Sequence, residues 1–303
     1  MLPERLGGII PPVVSPLLDY ERLDNAGLER VLTRLLDAGV HGLFILGTTG
    51  EGPHLSHRLR REIVLQTSQM ARGTCPVLVG ISDPSPEEML EIAHYADHAG
   101  ADGLVIAPPF YAPICQEELL DYCLWMVPQL PLPVFLYNMP SHCKITIEVD
   151  TVKQLAEVKQ IRGVKDSSGD MDYFQNLVSA NTRPDFCLLT GPEMHLAESL
   201  ALGGHGGVCG GANLYPQLFV DLYAAHKQGR SQEELEALQL AVEVLGREVY
   251  FEGFLTGVKT AMQLKQICSA FTVPPLRPMS QTGLKRLRSG LHYLEKIYPA
   301  WFR

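Results

Sequence analysis

Short runs of apolar and β-branched residues recur along this chain, and the segments between them repeat apolar residues every three or four positions. The runs fall at 8–14, 42–46, 76–80, 103–107, 133–137, 161–165, 186–190 and 206–209. The intervening pattern is clear over 25–38, where Leu28, Val31, Leu32, Leu35 and Leu36 share one helical face. Continuously apolar strands separated by helices predict a parallel sheet covered by helices. The start-to-start spacings lie near the ~30 residues per βα unit that a ~250-residue barrel implies. The expected fold is therefore α/β: a (β/α)8 TIM barrel with a C-terminal helical extension.

Turn chemistry supports this reading. Ala38-Gly39 and Ala99-Gly100 end helices with a glycine just past the last turn, and each precedes a strand. Asp83-Pro84-Ser85-Pro86-Glu87-Glu88 opens a helix with a polar cap, a proline in the first turn and then acids. After about residue 213 the strand pattern stops. Helices are expected near 214–228, 232–250, 253–268 and 280–298. Residues 1–212 then hold the barrel strands and helices, and 213–303 the last barrel helix and the extension, in one structural domain. The competing architecture is an open doubly wound sheet. It usually carries a Gly-rich dinucleotide turn after the first strand, and Val13-Val14-Ser15-Pro16 is not one.

Composition narrows the function classes. The chain has 303 residues, 46% hydrophobic and 19% charged, with a net charge of −9, as expected for a globule with a large core. No Lys/Arg cluster is long enough for a nucleic-acid footprint. Met1-Leu2-Pro3-Glu4-Arg5 carries no signal pattern, and no apolar run approaches a membrane span. Seven scattered cysteines with no Cys-x-x-Cys pair suit reduced thiols. A cytoplasmic protein is expected.

In such barrels chemistry sits at the C-terminal ends of the strands. The sixth run ends in Gly163-Val164-Lys165-Asp166-Ser167-Ser168-Gly169-Asp170. A lysine capping a buried strand is desolvated, which favours a neutral, nucleophilic amine able to condense with a 2-oxo acid; the alternative is an ammonium that snorkels to solvent. After the second run, Gly47-Thr48-Thr49-Gly50-Glu51-Gly52 lets backbone N–H groups and two hydroxyls approach a carboxylate or phosphate, or is a plain βα turn. Tyr137, ending the fifth run, can relay protons or serve as a packed rim aromatic. Pro108-Pro109-Phe110-Tyr111-Ala112-Pro113 is a stiff aromatic loop of the kind that marks an interface or lid. Thr48, Thr49, Tyr137 and Lys165 thus share one rim with separate tasks: holding a carboxylate, moving a proton and forming an imine.

These motifs, with Tyr137-Asn138-x-Pro140 and Gly203-Gly204-His205-Gly206-Gly207 leading to Ala212-Asn213, make the chain resemble the dihydrodipicolinate synthase/N-acetylneuraminate lyase family of Schiff-base lyases over essentially its whole length. The resemblance implies a (β/α)8 barrel in which Lys165 forms an imine with pyruvate or a related 2-oxo acid. It makes Tyr137 the proton shuttle, gives the carboxylate to Thr48 and Thr49, and includes Thr49 in the proton relay. Tyr111 matches a tyrosine that reaches across a tight dimer interface, and Gly191 and Val208 match pocket positions. It also implies a homotetramer built as a dimer of dimers, needing neither a metal nor an organic cofactor.

The departures bear on substrate. The synthase branch carries a carboxylate-binding arginine after this tyrosine motif, where this chain reads Ser141-His142-Cys143-Lys144; His142 is a poor replacement for a guanidinium. Glu193 in Gly191-Pro192-Glu193 lies where sialic-acid lyases carry an acidic pair that binds hydroxyls, with only its second member present. Gly257-Val258-Lys259-Thr260 resembles the lyase branch.

The expected activity is reversible cleavage of a 2-oxo sugar acid or hydroxylated oxo acid to pyruvate and an aldehyde. The alternatives are condensation of pyruvate with aspartate semialdehyde, an imine-dependent dehydratase or deaminase, and a sensor that has lost turnover. His94 and His98 have helical zinc spacing but no third ligand nearby, so an exposed helix face is expected. His54 and His57 are read as solvent-facing loop histidines, and the glycines of 203–211 as close packing at the last strand.

Overall fold

The computed structural model describes residues 2–302; Met1 and Arg303, the outermost residues of the two sequence segments, lie outside them. Among the described residues eight parallel strands form one sheet: β1 (Gly8–Ile9), β2 (Leu43–Ile45), β3 (Val77–Gly80), β4 (Gly103–Ile106), β5 (Val134–Asn138), β6 (Ile161–Asp166), β7 (Cys187–Thr190) and β8 (Gly206–Gly207). Each falls on one of the eight expected runs. β1 pairs with β8 in parallel, and beyond Ile9 the chain bridges to β2 at Pro12–Phe44. There the Val13 N–H donates to the Phe44 carbonyl at 2.8 Å, and the Phe44 N–H to the Pro11 carbonyl at 3.0 Å. These bonds close the barrel. β1 is shorter than its apolar run because Pro11 and Pro12 have no N–H to give a ladder.

A helix follows each strand: α1 (Asn25–Asp37), α2 (His57–Ala71), α3 (Pro86–Ala99), α4 (Gln116–Met126), α5 (Val149–Ala156), α6 (Met171–Ala180), α7 (Leu196–Ala201) and α8 (Pro216–Lys227). Local sequence sets their ends. Asp24 caps α1 by accepting from the Gly27 N–H, and Ser85 caps α3 by accepting from Glu88 ahead of Pro86. The predicted stripe of α1 is fully buried at Leu28, Val31, Leu32 and Leu35, each worth about 1.5–3 kcal/mol relative to exposure. The extension adds α9 (Gln232–Val249), α10 (Phe254–Leu264) and α11 (Gln281–Ile297). α10 stops short of the expected 268, and Gln266 takes a left-handed φ of 58°.

Two layers of core result. One lies between strands and helices. The other fills the barrel and comprises Leu6, Ile10, Phe44, Leu78, Val105, Phe135, Tyr137, Cys187, Leu189 and Val208. An antiparallel hairpin, Leu17–Asp19 with Arg22–Leu23, follows β1 and was not expected from the sequence pattern. No helix among the described residues is long and apolar enough to cross a membrane.

Candidate active site

β5 and β6 are adjacent and parallel, with Tyr137 in register with Lys165 and Asn138 with Asp166. Strand alternation sends the Tyr137–Lys165 pair to one face of the sheet and the Asn138–Asp166 pair to the other. Tyr137 joins the barrel interior, and the Lys165 Nζ sits 3.9 Å from its ring centroid and 5.2 Å from that of Phe44. Lys165 is 7% exposed and Tyr137 6%. Asn138 and Asp166 form a brace: the Asn138 amide donates to Asp166 Oδ1 at 2.7 Å, the Ile147 N–H donates to Asn138 Oδ1 at 3.0 Å, and the Ser168 hydroxyl donates to Asp166 Oδ2 at 2.9 Å. This brace ties the loops after β5 and β6 together and holds Tyr137 and Lys165 at one height. Burial pushes the Asp166 carboxyl up against those hydrogen bonds.

The Tyr137 hydroxyl lies 3.3 Å from Thr48 Oγ1, so the Gly47–Gly52 loop and the β5 tyrosine meet. Burial alone would raise the phenol, but the Lys165 ammonium and hydrogen bonds with Thr48, Lys165 and Ser167 outweigh it and hold Tyr137 below the ordinary phenol value. A phenol so placed is easier to ionise and better suited to take a proton near neutral pH. Thr49 is buried beside Thr48.

Tyr137, Phe44 and Thr48 line a cavity of about 280 Å³. Its outer wall is made by Ser82, His54, Ser141 and His142, with Phe110 and Met139 as apolar cover. Burial first, then the Lys165 and His54 charges, push the His142 imidazole below its ordinary value. His54, read from sequence as facing water, is exposed as expected and also lines that wall.

The remaining sequence candidates divide. Val208 lies in the barrel interior. Gly191 passes so close to the loop after β6 that an added Cβ would lie 1.9 Å from Ser167 Oγ; any side chain there would displace the segment that carries Lys165. Tyr111 is 84% exposed and stands outside this chain's own cavity. Glu193 departs from its expected place against a substrate hydroxyl. Its carboxylate is buried, with Oε1 accepting from the Tyr250 hydroxyl and Oε2 from the Gly211 N–H at 2.8 Å. Both oxygens are committed, one to Tyr250 just past α9 and the other to the loop after β8. On α3, His94 and His98 are exposed, with His98 Nδ1 2.7 Å from the His94 carbonyl. Among the described residues no group of three or more His, Cys, Asp or Glu is arranged to hold a metal ion.

Sequence reasoning missed two things. Phe44 walls Lys165, a role its place among the barrel-facing positions of β2 could have suggested. Glu51 is buried and paired with Lys259 of α10 at 2.7 Å, a contact no local pattern announces.

Comparison with known proteins agrees with this geometry. The profile described as the dihydrodipicolinate synthetase family matches residues 5–293. The chain is 34% identical over 292 residues to a 4-hydroxy-tetrahydrodipicolinate synthase of Methanopyrus kandleri, covering 96% of this chain and 97% of that one. It is 33% identical over 229 residues to a probable 2-dehydro-3-deoxy-D-pentonate aldolase of Escherichia coli K12, covering 75% and 76%. Its fold superposes with a TM-score of 0.92 on a dihydrodipicolinate synthase structure from Bacteroides thetaiotaomicron, at 44% identity, with 95% and 98% of the two chains covered.

Proposed function

We propose, given that this chain belongs to the dihydrodipicolinate synthetase family, that it is a lysine-dependent lyase cleaving a hydroxylated 2-oxo acid, of the sugar-acid type, to pyruvate and an aldehyde. The observation that carries the reading is the Lys165 Nζ held over the Tyr137 ring, with the Tyr137 hydroxyl beside Thr48 at the cavity floor. The Lys165 amine adds to the C2 carbonyl and water leaves, giving an iminium. The electrons of the C3–C4 bond then flow into that iminium as the C4 hydroxyl proton passes to Tyr137, so the aldehyde departs and an enamine remains. Protonation at C3 and hydrolysis release pyruvate and restore the amine. Thr48 and Thr49 hold the substrate carboxylate, and Thr49 joins the proton relay. The chemistry asks for no metal or organic cofactor.

The Ser82 and Ser141 hydroxyls on this wall, beside a His142 imidazole pushed below its ordinary value, support a hydroxylated aldehyde half rather than a charged one. Gly191 and Val208 support the pocket by packing. Tyr111, 84% exposed, is read as reaching a neighbouring subunit's site in a dimer-of-dimers tetramer, and the protein as cytoplasmic. A second reading, condensation of pyruvate with aspartate semialdehyde, is favoured by the synthase names of the M. kandleri and B. thetaiotaomicron relatives. It is disfavoured by His142, where the synthases carry an arginine.

The test is mass spectrometry after incubation with pyruvate and borohydride, followed by assays of 2-oxo-3-deoxy sugar acid cleavage against the synthase condensation. A reduced pyruvyl adduct on Lys165 is expected, with cleavage the faster reaction. No adduct with pyruvate or larger 2-oxo acids would defeat the reading. Faster condensation would move it to the synthase.

A further inference from the structure

One buried cluster takes no part in the imine chemistry. Lys259, in the Gly257–Thr260 segment of α10, is fully buried. Its Nζ donates to Glu51 Oε2 at 2.7 Å and to the Ser15 carbonyl at 2.8 Å. The other Glu51 oxygen accepts the Val273 N–H at 2.7 Å. Ser15 Oγ donates in turn to the Gly50 carbonyl at 2.6 Å. These bonds run from the C-terminal extension, through the ion pair and the segment after β1, to both residues that close the Thr48-Thr49 loop.

The loop needs such a hold. Leu46 and Glu51 bracket it with φ of 58° and 54°, in the left-handed region that residues with a Cβ rarely occupy. The chain folds back on itself so tightly that a Cβ on Gly52 would lie 1.9 Å from the Leu46 carbonyl oxygen. A conformation of this kind persists where its surroundings over-determine it. A buried ion pair is a weak source of stability compared with apolar residues of the same volume, and its best-attested use is fixing one arrangement among several. Burial pushes the Lys259 ammonium down, and Glu51 opposes that shift.

We infer that Lys259 and Glu51 are positioning residues for 2-oxo acid binding: acting through the loop, they set where Thr48 and Thr49 present their donors to the substrate carboxylate. This inference rests on the imine reading given above and deepens it. It gives the C-terminal helices, which contribute no reacting group, a task in substrate affinity. Because the pair touches the loop and not Lys165, its loss weakens capture of the 2-oxo acid more than it slows imine formation once the acid is bound.

The test is borohydride trapping on the intact protein across a pyruvate titration, with wild type, Glu51→Gln and Lys259→Met compared. The wild type controls for the reading itself. No adduct there overturns the imine chemistry and the inference together, whereas an adduct at Lys165 isolates the positioning claim. Glu51→Gln is close to isosteric and keeps an acceptor for the Val273 N–H, so it decides the matter whether or not Lys259→Met folds. The expectation is a wild-type circular dichroism spectrum and roughly tenfold more pyruvate for half-maximal trapping, the scale of one weakened charge-assisted contact. The rate at saturating pyruvate should stay within about threefold of wild type, since uniform binding is lost rather than transition-state stabilisation. An unchanged half-saturation in folded Glu51→Gln would reduce the pair to a structural role.

Discussion

Two lysines are buried among the described residues, and their surroundings differ in kind. Lys259 meets a carboxylate and a carbonyl at ion-pair distances. Lys165, at the end of β6, meets the faces of Tyr137 and Phe44. Aromatic faces offer an ammonium only modest attraction and the Tyr137 hydroxyl is a single hydrogen-bond partner, so among the described residues no carboxylate ties the Lys165 Nζ down as Glu51 ties down Lys259. On the proposed function, the difference separates a structural charge from a reactive amine. A lysine held by a carboxylate is fixed in place, whereas one lodged against rings is freer to turn toward an electrophile. Burial alone would not have distinguished them; the partner does.

The sharpest way to break this comparison is to remove each amine. Lys165→Met is expected to lower turnover to background and to abolish borohydride trapping, yet to unfold at no lower denaturant concentration than wild type. Reactive groups in partly apolar sites are commonly kept at some cost to stability. Lys259→Met should do the opposite to the fold, costing about 3–5 kcal/mol in urea unfolding because it strands the Glu51 carboxylate without its cation. A Lys165→Met protein as destabilised as Lys259→Met would erase the distinction.

Within the reactive region, Tyr137 and Lys165 can be separated in turn. Tyr137→Phe keeps the ring beneath the Nζ and loses only the hydroxyl that meets Thr48. Trapping at Lys165 should persist while turnover falls roughly 10²–10⁴-fold, the usual weight of general acid–base help. If single-turnover imine formation fell as far as turnover itself, Tyr137 would be needed to form the imine rather than to move the C4 proton.

The two lysines were not equally legible in the sequence. The strand rhythm exposed Lys165 because parallel strands buried on both faces read as apolar runs, and a lysine interrupting one is conspicuous. Its pairing with Tyr137 then follows from strand adjacency. Glu51 and Lys259 are 208 positions apart, on a loop and a helix whose local patterns say nothing of each other, so only the folded chain joins them. The hairpin after β1 was missed because two- and three-residue strands leave too little pattern to read. Glu193 is the instructive error of placement: its motif suggested a carboxylate near the pocket, but the direction of that side chain is set by Tyr250, 57 residues away. His54 is exposed as its loop position suggested, yet the fold also sets it at the cavity wall.

Glu193 also supplies the finest test, since it is a buried acid with neutral donors where Glu51 has a cation. Burial raises its carboxyl above the ordinary glutamate value of 4.5, against the hydrogen bonds from Tyr250 and Gly211. A group whose folded value lies above its unfolded one binds its proton more tightly in the fold. Its stabilising contribution is therefore complete below the unfolded value and fades as pH rises through the folded one. Glutamine cannot ionise, yet it can accept from the Gly211 N–H and donate to the Tyr250 oxygen. Glu193→Gln should match wild type in urea unfolding near pH ~4 and exceed it near pH ~8 by about 1 kcal/mol, the scale of one hydrogen bond. A difference between the two proteins that does not change with pH would mean that Glu193 titrates alike in the folded and unfolded chains. Its neutral donors would then stabilise the anion as effectively as water does, and the contrast drawn from the lysines, that the partner decides the role of a buried group, would not extend to the buried acids.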